Sequence, residues 1–141
     1  MQRLFTGDVV SYDGKQVSLR DAQLLPVPVQ RPHPPIWIGG SGPRRTLPLV
    51  AKYADAWHTW GTPNSLRDTN ARLDELAVTA GRDPSQIMRA NSLSLDDLDT
   101  ARKHASKWRD AGYGYLICGW PHTGRAQVEA FARDVMPEFT D

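Results

Sequence analysis

The residues best suited to chemistry run from Pro35 to Arg45, in the order PIWIGGSGPRR. An apolar run, Ile36 to Ile38, ends in Gly39 and Gly40, and a helical pattern begins a few residues later. Glycines let a backbone approach a ligand closely, and the first amides of a helix have no partner within it. With the helix dipole, such amides make an anion site. Ser41 adds a hydroxyl donor, and Arg44 and Arg45 add guanidinium forks suited to phosphate. The run matches neither G-x-G-x-x-G nor a Walker loop, so nucleotide folds built on those gain no support. A glycine-rich turn that merely joins strand to helix is the plain alternative.

Four strand-then-helix units must position that loop. Their strand candidates are Ile36–Gly40, Asp55–Gly61, the weaker run IMRANSLSL (Ile87–Leu95) and YGYLICGW (Tyr113–Trp120), the clearest buried strand. Helical spacing follows each: Leu47, Leu49, Val50 and Tyr53; Leu66, Leu73, Leu76 and Val78; Leu98, Ala101, Ala105 and Trp108; Val128, Phe131 and Val135. Thr62-Pro63 reads as a helix start, and Gly81 and Gly112 as left-handed stops. Strands alternating with helices of this length imply parallel pairing through right-handed crossovers. Ahead of them, VVSYDGKQVSL (Val9–Leu19) predicts a hairpin turning at Asp13-Gly14 with a type I′ geometry. Five prolines between Pro26 and Pro35 then predict an extended surface connector. Their irregular spacing argues against a polyproline ligand. The start, LFTGD, reads as the last turn of a helix, as if cut from a larger unit.

Composition narrows the classes. The chain has 141 residues, 40% hydrophobic and 23% charged, which suits one globular domain. A net charge of +1 argues against a large nucleic-acid footprint. No window approaches the roughly 18 to 20 apolar residues of a membrane span, and no secretory signal opens the chain. The single cysteine, Cys118, cannot form an internal disulfide, which predicts a reducing, cytoplasmic setting. Four scattered histidines predict no metal site.

Several motifs in order resemble the luciferase-like monooxygenase family, in particular its members that use the deazaflavin F420 or FMN. They are the hairpin, Pro26-Val27-Pro28-Val29-Gln30, Pro32 to Pro35, IWIGGSG, and Ala54-Asp55-Ala56-Trp57. The likeness is densest over residues 4 to 60 and continues by element order to VMPEF near the end. It implies a TIM barrel, with this chain as its C-terminal half: a (β/α)4 set, strands five to eight, over 36–141, after a hairpin and Pro-rich connector over 1–35. The implied activity is a flavin- or deazaflavin-dependent oxidoreductase, by hydride transfer or oxygen activation at bound F420 or FMN.

The resemblance also assigns residues. Gly39, Gly40, Ser41, Gly42, Arg44 and Arg45 are expected at the cofactor phosphate, and Trp57, Thr59 and Trp120 in the substrate pocket at the barrel mouth. By residue type and place, apart from the resemblance, His58 is expected to give a proton to substrate, and Cys118, inside the apolar run YLICGW, to be a buried, inert thiol. Asp55 reads as a strand anchor, and Trp37 as core. The sequence departs from the family at Ala56, where glycine is usual, and at Pro48, inside the helix after the loop. With the first four strands absent, the expected partners are a small-molecule substrate and either a second copy or a complementing N-terminal half barrel. The rival expectations are a non-catalytic half-barrel module that self-associates and a truncated, inactive product.

Overall fold

The computed structural model describes residues 2–140, which divide into two compact segments, 1–35 and 36–141. The first holds a 3-10 turn, Gln2–Thr6, and an antiparallel pair, β1 (Val10–Asp13) and β2 (Ser18–Ala22). The hairpin closes differently from the type I′ expectation. Gly14 N–H donates to Val17 O (3.1 Å), and Gly14 does not adopt positive φ. Its missing side chain instead makes room for the Tyr12 ring, which an added Cβ would approach to 2.5 Å. The register slips between Val10 and Tyr12, and Asp21, at φ 46°, is the left-handed residue at that bulge. Its amide and carboxylate both meet Ser11 Oγ at 3.0 Å. No regular element follows through the prolines to Ile36.

The second segment is built from β3 (Trp37–Gly39), α1 (Thr46–Tyr53), β4 (Ala56–His58), α2 (Arg67–Thr79), β5 (Met88–Leu93), α3 (Leu98–Asp110), β6 (Tyr115–Cys118) and α4 (Arg125–Asp134). Its sheet has the order β3-β4-β5-β6, all parallel, with one helix after each strand. This is half of a TIM barrel, as the family resemblance implies; the alternation of elements alone equally suits an open doubly wound sheet. Pro48 is the third residue of α1, where its missing N–H would be unpaired anyway. Thr62 starts the turn before α2, with Ser65 N–H donating to its hydroxyl (3.2 Å) and Leu66 N–H to its carbonyl (3.1 Å). Asp97 caps α3 through Thr100 N–H (2.7 Å). Gly81 and Gly112 end α2 and α3 at φ 75° and 81°. The next amides, Arg82 and Tyr113, reach back to Ala77 and Trp108 carbonyls, as left-handed helix stops require.

The period of two along each strand splits the sheet into two faces. Ile38 and Trp57 face the helices and pack with Leu47, Val50, Leu73, Ala77 and Ile87. Leu93 and Leu116 face a second cluster with Ala101, Ala105, Val128 and Phe131. Arg89, on the same side, bonds through its guanidinium to Asn70 Oδ1 (2.9 Å) and to Asp74, both on α2. The other face is concave and carries Trp37, His58, Met88, Ser92, Tyr115 and Ile117.

Two expectations fail, each for its own reason. YLIC is not deeply buried, because β6 is an edge strand, with Cys118 exposed and only Leu116 sunk among helices. Trp37 is not core but 41% exposed, because it lies on the concave face, where no helix packs. The weak run IMRANSLSL supplies the longest strand of the sheet, β5, which pairs with β4 on one side and β6 on the other. Its apolar deficit reflects a polar inner edge.

Candidate active site

All four strands are parallel, so their C-terminal ends share one rim, and the loop Gly40–Arg45 lies there at the end of β3. Two bonds tie its start to β4. Gly40 N–H donates to His58 O (2.9 Å), and Gly40 O accepts from Trp57 Nε1 (2.7 Å). At the far end Leu47 N–H donates to Gly42 O (3.0 Å). Gly40 stands at φ 106°, a region other residues rarely adopt, and a Cβ on Gly42 would meet Thr46 Oγ1 at 3.0 Å. Among the described residues, the amides of Ser41, Gly42, Arg44 and Arg45 have no acceptor. Arg45, at the N-cap position of α1, makes no side-chain cap.

Charge placement follows the same pattern. In residues 36–141 the arginines away from this loop are mostly held. Arg72, Arg89, Arg102, Arg125 and Arg133 pair with carboxylates, and Arg82 and Arg109 donate to carbonyls. Arg44, Arg45 and Arg67 have no such partner among the described residues. Two adjacent uncompensated guanidiniums beside four free amides are donors that could hold a dianion such as phosphate.

The expected pocket residues separate by face. His58 lies on the concave side, half-buried, with Nε2 3.1 Å from Ser92 Oγ and its ring edge-on to Trp60 (centroids 5.2 Å). Trp60 and Trp120 are 74% and 73% exposed and, with Ser92, Ile117 and Gly119, line a hollow of about 460 Å³ at the rim. Trp57 and Thr59 do not line it. Both are fully buried on the helix-facing side, because they are one residue out of phase with His58 and Trp60. The Gly40–Arg45 loop is on the same rim but does not line this hollow either. A larger groove, about 870 Å³, lies between the β4–α2 loop and α3, lined by Thr62, Asn64, Arg67, His104 and Lys107 among others. None of the expected site residues borders it.

Ser92 was not predicted by residue type. Its signal is the alternation A-N-S-L (90–93) on β5, which puts Ser92 on the face of His58 once β5 is known to be a strand. Asn91, its buried neighbour, donates to Thr59 O (2.7 Å) and accepts from Ser92 N–H (2.8 Å), so it fixes the end of β4 against β5. Asp55 anchors a strand as expected, accepting Ile36 N–H (2.7 Å). Burial raises the Cys118 thiol pKa, so it is a poor nucleophile at neutral pH despite its exposed edge position. Among the described residues, no group of His, Cys, Asp and Glu could hold a metal ion, and no helix is long and apolar enough to cross a membrane.

The chain has the fold of solved oxidoreductases. An F420-dependent secondary alcohol dehydrogenase in complex with an F420-acetone adduct superposes at a TM-score of 0.81 and 18% identity, over 95% of this chain and 57% of that one. The coenzyme F420-dependent tetrahydromethanopterin reductase of Methanopyrus kandleri matches at 0.85 and 15% identity, over 99% and 60%. A long-chain alkane monooxygenase, LadA, matches at 0.53 and 18% identity, over 76% and 25%. The chain thus spans less than two thirds of the length of these proteins. The luciferase-like monooxygenase profile matches residues 1–133, and the chain belongs to that family.

Proposed function

We propose that this chain is the cofactor-phosphate half of a flavin- or deazaflavin-dependent oxidoreductase, with F420 or FMN held by its phosphate at Gly39–Arg45. The observation that carries the reading is the set of free amides at Ser41, Gly42, Arg44 and Arg45 beside two unpaired guanidiniums. Gly40, at φ 106°, lets the chain turn there in a way that side chains rarely allow, which brings the following amides to the rim. The F420 dependence of the two longer-matching neighbours supports a deazaflavin, and FMN offers the same kind of anionic tail. The bound cofactor would supply hydride transfer or oxygen activation; the chain's own residues bind and orient it. His58, set by Ser92, gives a proton to a small-molecule substrate, and Trp60 and Trp120 flank that substrate and exclude water.

Absorbance and fluorescence titration with F420 and with FMN tests this reading. Saturable binding is expected, weakened about tenfold or more by Arg44→Gln with Arg45→Gln. No saturable binding to either cofactor overturns it.

The concave face favours a second reading. Trp37, Met88, Tyr115 and Ile117 lie on it and are at least 36% exposed. An apolar surface of this kind suits a second copy or a complementing N-terminal half barrel. Light scattering should give a mass above that of one chain, unchanged by Ser41→Ala or Arg44→Gln. A monomer at high concentration refutes self-association.

A further inference from the structure

We infer that Trp57 is a positioning residue for anion binding: its indole aims the Ser41 amide at the ligand. The inference rests on the phosphate reading of the Gly39–Arg45 loop and adds the means by which that loop is held. Trp57 is fully buried in the helix-facing core, and its one polar atom, Nε1, donates to Gly40 O at 2.7 Å. The other side of Gly40 is held too, with its N–H on His58 O at 2.9 Å. A trans peptide is planar, with the carbonyl of one residue antiparallel to the N–H of the next. The Gly40 carbonyl is drawn towards Trp57, on the core side of β4. The Ser41 N–H must therefore point the opposite way, out of the core and towards the rim, and it has no acceptor among the described residues.

The alternative orientation carries a double cost. A flip of the Gly40–Ser41 peptide would leave the buried Trp57 N–H without a partner and turn the Ser41 amide inward. The flip turns ψ of Gly40 and φ of Ser41; Gly40, a glycine at φ 106°, tolerates its part of that rotation, and the indole bond holds the observed state. Packing alone would be served by phenylalanine. The hydrogen-bonding atom is the feature that a phosphate site needs.

The experiment separates phosphate recognition from ring recognition. Kd values for FMN and for riboflavin, which lacks the phosphate, are measured with the unaltered chain and with Trp57→Phe. The unaltered chain should prefer FMN, and Trp57→Phe should reduce that preference about fivefold or more while riboflavin binding stays the same. If the unaltered chain binds FMN without preference over riboflavin, the phosphate reading of the loop itself fails; if it binds F420 alone, the same pair of measurements is made with F420 and its phosphate-free deazaflavin parent. If it shows the preference and Trp57→Phe keeps it in full, the loop reading stands and the role of Trp57 is overturned. Hydrogen exchange on the unaltered chain covers a variant that does not fold. The Trp57 indole N–H should exchange far more slowly than those of Trp60 and Trp120, and the Ser41 amide should shift on adding FMN but not riboflavin. An indole that exchanges as fast as the exposed ones, or a Ser41 amide silent to FMN, refutes the inference.

Discussion

Trp37 on β3 and Tyr115 on β6 meet edge to face, with ring centroids 5.1 Å apart and planes at 78°, although two strands lie between their backbones. In a flat sheet three strand spacings would separate them by about 14 Å. Side chains bridge that gap only if the sheet curls towards them. The register agrees. Trp37 lies level with Ala56 and Met88, whereas Tyr115 lies level with Ala90, His58 and Gly39, two residues further along. A stagger across tilted strands is what barrel curvature requires. Half of the barrel thus already holds its curve, and its inner layer is partly filled from within.

The Trp37–Tyr115 contact should be measurable as a coupling. Trp37→Ala and Tyr115→Ala each lower the urea midpoint, and the double variant loses less than their sum. The expected coupling is about 1 kcal/mol beyond what area burial alone contributes. Strict additivity would mean that the rings are not in contact in solution.

His58 and Ser92 make a kinetic prediction that follows from the proposed function. In the cofactor-loaded protein His58→Gln should lower kcat by about a hundredfold, as loss of a general acid does. Ser92→Ala, which removes one orienting hydrogen bond, should lower it about fivefold. Cofactor affinity should change little in either. A His58→Gln variant with unaltered kcat would remove the histidine from the mechanism.

Arg89 bears on stability and not on the rim. Its side chain is 15% exposed and is held by Asn70 and Asp74 of α2, while Asn70 also donates to the Tyr113 hydroxyl (3.2 Å). Burial raises the pKa of that phenol, with the Asn70 bond opposing the rise. Asp74→Ala strands a largely buried guanidinium. Solvent reaches the carboxylate side, so the expected loss is about 1–2 kcal/mol in urea unfolding. Asp74→Asn should recover part of it, and cofactor titrations should not respond to either.

Asp96 ties two rim loops together. His122 N–H, first, and the Ser94 hydroxyl, second, hold its carboxyl pKa below the usual 3.8. A depressed folded pKa contributes stability that is complete above the unfolded value and is lost as pH falls through the folded one. The Asp96 carboxyl should therefore titrate below 3.8 by NMR, and Asp96→Asn should flatten the acid limb of the stability curve at its foot. A midpoint at or above 3.8 refutes the bond to His122.

The order of elements was legible because it depends on local chemistry. Gly81 and Gly112 end helices wherever the chain must enter the left-handed region. Thr62 offers its oxygens to free amides, and Pro48 is tolerated only in a first turn. Each of these acts within a few residues, so the linear chain carries it. The glycines of IWIGGSG, followed by Arg44 and Arg45, likewise mark the loop in the sequence itself. Which face of a strand meets solvent is a different kind of fact. Trp57 and Thr59 share a run with His58 and Trp60, and only the packing of α1 and α2 against one side of β4 sends the first pair inward. Trp37 and Cys118 read as core because their neighbours are apolar, yet burial is a property of what lies across from a residue. β6 is an edge and the concave face has no helix over it, so both remain in reach of solvent. The pairing of His58 with Ser92, 34 positions apart, exists only because β4 and β5 lie side by side.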